Sequence, residues 1–472
     1  MATHQLAQWI CDLTYADLPD SAVHAAVRSF QNSLGCIVGG AKHPTTQKAI
    51  KSLSANPSSS ICTLIGQQAE SEHVPRADKS SAALINGIAS HVHDYDDTHL
   101  HTVIHPAGAI VAALLTQVEY EKTRLKRSTS GKDFILALVV GIETSLRIGN
   151  AISPNHYSAG WHITGTVSPI GVAAALSKLD ALSAEQTVHA IGIASTQPAG
   201  VRVHFGTDTK AFHVGRAAQN GIEATDLASC GFTAAADALE GRRGWVDVLG
   251  HGANSLNEQI DQLVRVTEAA KEDQTHDEKW EIEKNTFKPF PCGIVIHPTI
   301  DACIQLHDEL GLKDKAKLTK LESVHLKVHH LVLDLTGKKE PRDGLEAKFS
   351  VYHGAAIGLV LGSATPAEYE DSVVQDNAIV DVREKIMAEV DGDIRSDEAV
   401  VTLRFSNGKE IVKHVEHAVG SLERPMTDAE LRDKFLKQTG EIIGTARSGA
   451  LNSMAWNVIE LSDMTYLTDA AR

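Results

Sequence analysis

Apolar positions recur with helical spacing through most of the first 265 residues. Leu6, Trp9, Ile10 and Leu13 fall at i, i+3, i+4 and i+7, the spacing of one helix face. Val23, Val27, Phe30, Leu34 and Ile37 form a second stripe, opened by Asp20-Ser21 and stopped by Gly39-Gly40. Leu84, Ile88 and Val92 start a third, and Pro106 suits the first turn of a fourth whose face is Ile110, Ala113, Leu114 and Val118. Ser130 with Asp133 reads as a capping-box start for a helix over 134–149. Further helices are expected over about 166–178, 184–194, 209–229 and 233–240. Alternating β-branched patterns are almost missing from this half, so it is expected to be an α-domain.

The pattern changes after residue 270. Residues 271–284 are charged and weakly periodic and read as a connector. The stretch from Val324 to Leu333 alternates, as does the one from Val400 to Val412, where Asn407-Gly408 between two strand-like runs signals a hairpin. Helices are expected between them over about 297–310, 345–361 and 377–390, and helical spacing returns from Thr427 through Leu431, Phe435 and Leu436. The expected architecture is mainly α: a large all-helical domain (1–270) interrupted by a smaller α+β lid domain (271–420), with C-terminal helices (421–472) completing the first. No short repeat is visible, and Ser58-Ser-Ser is the one low-complexity tract.

Length and composition fit this division. At 472 residues the chain suits two or three domains or one large domain with an insertion, and 43% apolar residues exclude wholesale disorder. The longest unbroken apolar run, 134–140, is far short of the roughly 18–20 residues of a membrane span. The first residues show neither a basic region nor an apolar signal core. A soluble cytoplasmic chain is expected, with a mitochondrial address left open. A net charge of −16 argues against nucleic acid or an anionic membrane as a general partner, while leaving room for a local cationic pocket. Six cysteines without a C-x-x-C argue against a zinc ribbon or a disulfide framework. The 24 histidines, five of them between His91 and His105, point instead to proton chemistry or metal binding.

The densest constellation runs from His91 through His93, Asp94, Asp96, Asp97, Thr98, His99, His101 and His105 to Pro106, at a helix–loop–helix junction. Asp94 and Thr98 share a face if the first helix persists that far. One reading is a divalent ion on His91 and His93 with Asp96 or Asp97. A second is metal-free acid–base catalysis with an aspartate tuning a histidine. A third is a solvated polar junction. His162 stands in a Gly-bounded loop before an apolar helix, where a histidine also serves simply as a hydrogen-bonded structural residue. Lys210 falls in the first turn of a helix, where the dipole disfavours a cation, which suggests a carboxylate shared by lysine and helix or else a solvent lysine. Lys288-Pro-Phe-Pro-Cys leads to His297 at a helix start, with Cys292 reading as a packing residue. Glu143 and Arg147, four apart in an apolar helix, read as a structural ion pair.

Taken together, these segments resemble the MmgE/PrpD family, which includes 2-methylcitrate dehydratase, cis-aconitate decarboxylase and iminodisuccinate epimerase. The matching pieces are Asp94-x-Asp-Asp-Thr98 with His105-Pro106, Gly160-Trp-His162, Thr209-Lys210-x-x-His213-x-Gly215, Leu239-Glu-Gly-Arg-x-Gly244, and Lys288-Pro-x-Pro-Cys followed by His297. The resemblance covers essentially the whole chain. It implies a helical domain with a lid, a homodimer, and catalysis with no metal, iron–sulfur cluster or other cofactor. It also implies a pocket lined by Asp94, Thr98, His105, His162, Lys210 and His297, with Tyr352 or His353 from the insertion. His105 is the expected proton carrier, with His99 and His101 as the competing candidates. Asp94, His162 and Lys210 join His105 as expected catalytic groups, and Thr98, His101, His297, Tyr352 and His353 are expected to bind substrate.

The expected activity is that of a cofactor-free lyase on a citrate- or aconitate-like di- or tricarboxylate, by dehydration of a 2-methylcitrate- or alkylcitrate-type acid or decarboxylation of a cis-aconitate-type acid. Lys210, His162 and His297 would supply positive charge for the carboxylates, and flanking cations would stabilise a carbanion-like state. The alternatives are an epimerase or isomerase of a related dicarboxylate, a metal-dependent hydrolase built on the histidine cluster, and a binding protein without turnover.

Overall fold

The computed structural model describes residues 1–53, 61–67, 75–272 and 279–472. The Ser58 tract and part of the expected connector lie outside the described residues.

Apolar stripes become helix faces where the periodicity placed them. The helices Ala2–Asp12, Asp20–Gly40, Lys79–His91, Ala107–Tyr120, Gly131–Ile152, Ile163–Leu179, Ala184–Ser195 and Asp208–Ser229 follow one another in the first half. The Gly131–Ile152 helix starts where Ser130 Oγ accepts from the Asp133 amide at 3.2 Å. By length and composition it could cross a membrane, but 94% of its apolar window is buried inside the protein. Here it is the axis of a core, packed against Ile163–Leu179 and carrying the buried Glu143–Arg147 pair, four residues apart along it, at 3.3 Å. The surrounding apolar cluster draws on residues from Ala2 to Ile282 and again on Phe435 to Ala471, because the C-terminal helices Asp428–Ile443 and Thr445–Trp456 fold back onto Asp20–Gly40.

A second apolar cluster runs from Phe290 to Val415. Its four-stranded sheet has the order Ile386–Val390, Leu321–Val328, Ala399–Phe405, Glu410–Val415; the first pair is parallel and the other two are antiparallel. The hairpin signal is met: Arg404 pairs with Glu410, and Gly408 turns the chain at φ +81°. Helices His297–Leu310 and Val351–Leu361 pack against each other, and the first also contacts the sheet.

Four expectations change. The alternation read from Val324 to Leu333 is strand only as far as Val328, and His330–Thr336 is a helix, capped by His329. Residues 233–240 form turns, with Gly231 at φ +86° ending the preceding helix and the Trp245 amide bonded to the Ala238 carbonyl. Local alanine content favours helix there, but no apolar stripe exists to bury. The helix expected over 377–390 stops at Arg383, and Ile386–Val390 is a strand. The one over 345–361 is broken: Gly344–Ala347 ends, and Ser350 caps a new helix by accepting from the His353 amide at 3.1 Å. That break sets Lys348 and Phe349 outside regular structure, beside the cleft between the two clusters.

Candidate active site

Two helix ends and two loops meet in this cleft. The Lys79–His91 and Asp208–Ser229 helices touch backbone to backbone, since a Cβ on Gly87 would lie 2.7 Å from Gly215 Cα and one on Gly215 2.3 Å from the Leu84 carbonyl. Only glycine permits that approach. It brings the last turn of one helix, with His91, against the first turn of the other, with Lys210. Strand Thr98–His99 pairs antiparallel with Asn285–Thr286, which ties the Asp94 loop to the Lys288 loop. Lys434, from the C-terminal helix, fastens both by donating to the carbonyls of Tyr95 at 2.6 Å and Lys288 at 2.9 Å.

Asp94 is the hub. It adopts φ +51°, a left-handed conformation that aspartate tolerates better than most residues. Its Oδ1 accepts from Lys288 Nζ at 2.7 Å and from Lys210 Nζ at 3.0 Å. Burial alone would raise the Asp94 pKa, but the two ammonium groups outweigh it and hold the carboxyl well below the usual range. An ammonium has three hydrogens to give. Lys288 uses all of them, on Asp94 Oδ1, the Asp94 carbonyl at 3.1 Å and the Cys292 carbonyl at 3.1 Å. Lys210 donates to Asp94 and to His91 Nε2 at 2.8 Å, which leaves one N–H for a ligand. Lys210 lies 5.2 and 5.4 Å from the ring centres of Phe205 and Phe349, which stack on each other across the cleft. Burial lowers the Lys210 pKa, and Asp94 opposes that shift. The carboxylate that the helix-start lysine called for is thus the protein's own.

His105 has a defined tautomer. Its Nδ1 lies 2.9 Å from the Asp97 carbonyl, which can only accept, so Nδ1 carries the proton and Nε2 presents a lone pair. Nε2 stands 3.8 Å from Asp94 Oδ1, too far for a hydrogen bond, on the cleft side. Burial is the largest cause pushing the His105 pKa down to about 3, with Asp96 opposing and Lys288 assisting, so the imidazole is neutral. His91 is held in turn by Asp96 through Nδ1 at 2.8 Å. His162 joins His213 through their Nδ1 atoms at 2.9 Å, and its buried Nε2 has no partner. Burial takes His162 well below its ordinary value, and pushes His297 down to about 3. Neither histidine supplies the positive charge expected of it; Lys210 and Lys288 flank the cleft as its ammonium groups.

The inner pocket, about 40 Å³, is lined by Asp94, Thr98, His105, His162, Lys210 and Lys288, with apolar walls that include Tyr157, Phe205, Ile294 and Phe349. Thr98 Oγ1 sits 3.2 Å from His105 Nδ1; it reaches the pocket from a strand, since the helix bearing Leu84 ends at His91. The other expected residues are elsewhere. His99 is buried against Thr102 at 2.9 Å and Glu281 at 3.0 Å. His101 is exposed and bonds to Asn150 at 2.9 Å. It lines, with His297, an outer chamber of about 290 Å³ that shares Val103, Tyr157, Ile294, Val295 and Leu335 with the inner pocket. Tyr352 and His353 do not line either cavity: Tyr352 packs on the second cluster, and His353 bonds to the Glu368 carbonyl at 3.0 Å. The Ser350 cap starts a helix that carries both away, leaving Phe349 as that segment's contribution.

His91, Asp94, Asp96 and His105 have ligand atoms within 4.8 Å of one another. A divalent ion among them would face two ammonium groups already seated on Asp94 Oδ1, so this donor set does not fit a metal. His93, the other half of the expected pair, turns away to the Gly39 carbonyl at 3.3 Å.

Residues 4–256 match the model of the MmgE/PrpD N-terminal domain and residues 290–458 that of the MmgE/PrpD C-terminal domain. Among curated proteins, the cis-aconitate decarboxylase-like protein oryM of Aspergillus oryzae is 25% identical over 98% of this chain and 96% of its own length. Human cis-aconitate decarboxylase is 27% identical over 82% of this chain and 78% of its own length. The 2-methylcitrate dehydratase of Escherichia coli is 28% identical over 31% of this chain and 32% of its own length.

Proposed function

The chain belongs to the MmgE/PrpD family, and from that premise we propose that it is a lyase acting on a citrate- or aconitate-like tricarboxylate by acid–base chemistry, with His105 as the proton carrier. The observation that carries this reading is the His105 Nε2 lone pair, fixed by the Asp97 carbonyl and set beside Lys210 in a buried cleft.

A substrate carboxylate takes the remaining N–H of Lys210. Its negative charge offsets the nearby ammonium groups and raises the His105 pKa, so the imidazole becomes a competent base or acid only when the ligand is in place. In dehydration, Nε2 removes the C–H proton, the electron pair forms the double bond, and the hydroxyl leaves as water with a proton given by the imidazolium or by solvent. In decarboxylation, the C–C pair stays on carbon as CO₂ departs, and that carbon takes a proton from Nε2 of an imidazolium that drew it from solvent once the bound ligand had raised its pKa. Both pass through a carbanion delocalised into a carboxylate, which Lys210 stabilises. Lys288, with all its hydrogens used, acts by holding Asp94 and through its field. The relatives that span most of the chain carry the decarboxylase name, whereas the dehydratase match spans 31%, and this favours loss of CO₂.

A pocket of about 40 Å³ is smaller than a tricarboxylate, so its walls, drawn from both apolar clusters, must part to admit one. Epimerisation is a second reading, because His162 Nε2 is an unpartnered nitrogen in the same pocket as His105 Nε2 and could serve a second face of one carbon. Mass spectrometry of products from citrate, 2-methylcitrate, cis-aconitate and iminodisuccinate in deuterated water separates the two. A lyase product lacks the mass of water or carbon dioxide. Deuterium uptake with no other mass change, on any of these acids, would replace the lyase by the epimerase.

Lys210→Met is expected to raise KM by roughly 10- to 100-fold, the worth of a charge-assisted hydrogen bond of about 1.5–3 kcal/mol. Steady-state kinetics on the folded variant checks this, and an unchanged KM would remove Lys210 from substrate binding.

A further inference from the structure

We infer that His91 and Asp96 are positioning residues for the substrate-binding lysine: Asp96 fixes the His91 ring, and His91 holds the Lys210 ammonium so that its remaining N–H is left for a substrate carboxylate; this rests on the carboxylate-binding role given to Lys210 above. Both links are short hydrogen bonds, with Lys210 Nζ 2.8 Å from His91 Nε2 and His91 Nδ1 2.8 Å from Asp96 Oδ2, and all three side chains are buried.

The direction of each bond follows from its donors. An ammonium can only donate, so His91 Nε2 accepts from Lys210 and the single ring proton sits on Nδ1. The Asp96 carboxylate accepts from Nδ1 and locks that tautomer; the other one would turn an N–H against the ammonium. Asp94 cannot hold Lys210 by itself, because its Oδ1 also takes Lys288, and two ammonium groups share one carboxylate oxygen. Asp96 brings the second negative charge, and His91 passes its influence to Lys210 across the ring. His105 does not depend on this pair. Its tautomer is set by the Asp97 carbonyl at 2.9 Å, and Asp96 Oδ1 stands 3.6 Å from its Nδ1, beyond hydrogen-bond reach. The geometry therefore separates two functions within one histidine cluster: His105 faces the reacting carbon, and His91 serves the lysine.

The test is a double-mutant cycle on the full chain, read by steady-state kinetics on whichever of citrate, 2-methylcitrate and cis-aconitate it turns over. His91→Asn keeps a donor at the place of Nδ1 for Asp96 and removes the acceptor for Lys210. It is expected to raise KM about tenfold, a coupling usual between side chains in contact, with kcat within about threefold. In Lys210→Met, which has no ammonium left to position, the same substitution is expected to change KM by less than about twofold. A KM increase of equal size in both backgrounds would show that His91 acts on the fold rather than through Lys210. A fall in kcat at constant KM would place His91 with His105. Either result, or an unchanged KM in His91→Asn alone, would overturn the inference and leave Lys210 as the carboxylate partner. An unchanged KM in Lys210→Met, or turnover of none of these acids by the wild type, would overturn that reading and the inference together. The wild-type protein answers without any variant having to fold. In its ¹H–¹⁵N spectrum near neutral pH, His91 is expected as a neutral ring protonated on Nδ1, and a proton on Nε2 would overturn the inference.

Discussion

Replacing His105 by asparagine is expected to lower kcat by about a thousandfold while KM stays within a few-fold. Asparagine keeps an amide donor at the place of Nδ1 for the Asp97 carbonyl but offers no group that can take up and return a proton. General acid–base groups contribute about 10²–10⁴ in rate, and a group that acts only in the transition state shows its loss in kcat. The free enzyme should show the matching ground state. In a ¹H–¹⁵N spectrum near neutral pH, His105 is expected as a neutral ring protonated on Nδ1, because the Asp97 carbonyl accepts from that atom at 2.9 Å. A variant retaining kcat within tenfold of wild type would hand the proton to another group, with His162 the nearest unpartnered candidate.

Acidification is expected to destabilise the fold from about pH 6.5 downward, well above the carboxylate range. Burial lowers the pKa values of His91, His105, His162, His297 and His353, to about 3 for His105 and His297 and about 4 for His353. A histidine whose folded pKa is depressed is neutral in the native state, while the unfolded chain takes up its proton near pH 6.5. Between those values the unfolded state binds more protons, so stability falls as pH falls. His105 and His297 each account for a loss of about 2 kcal/mol by about pH 5. Asp97 and Glu143, raised by burial to about 7, and Asp180, raised by burial to about 8, oppose this, since their protonation on acidification favours the fold. The histidines lowered by burial outnumber these acids, so the net effect is a loss of stability, against a total of about 5–15 kcal/mol. Urea unfolding at a series of pH values checks the sign; stability that is flat or rising on acidification would contradict it.

The helical framework was legible because one-sided burial leaves a period in the sequence, as at Leu6, Trp9, Ile10 and Leu13. The same rule misled at 377–390, where Ile379, Val382 and Ile386 keep helical spacing across the junction of a helix and a strand, all three being buried. Asp94, Thr98, His105, His162 and Lys210 were visible through density of proton-handling residues and through the family resemblance, and the fold gathers them in one cleft. Lys288 was quoted but given no role, because nothing local marks a buried cation whose partner, Asp94, lies 194 residues away. His101 and His105 look alike in sequence. Only the Thr98–His99 pairing with Asn285–Thr286 and the turn back to Pro106 decide which ring faces Lys210. Charge was misread at His162 and His297, since the cost of burying an imidazolium depends on surroundings that sequence does not display.

The measurement that bears most directly on His105 and Lys210 acting together is the crystallographic position of a bound, unreactive tricarboxylate. The expected result is a carboxylate on Lys210 Nζ and the reacting carbon within about 3.5 Å of His105 Nε2. A ligand seated with its carboxylates away from Lys210, or with His105 Nε2 facing no carbon that could lose or gain a proton, would contradict it.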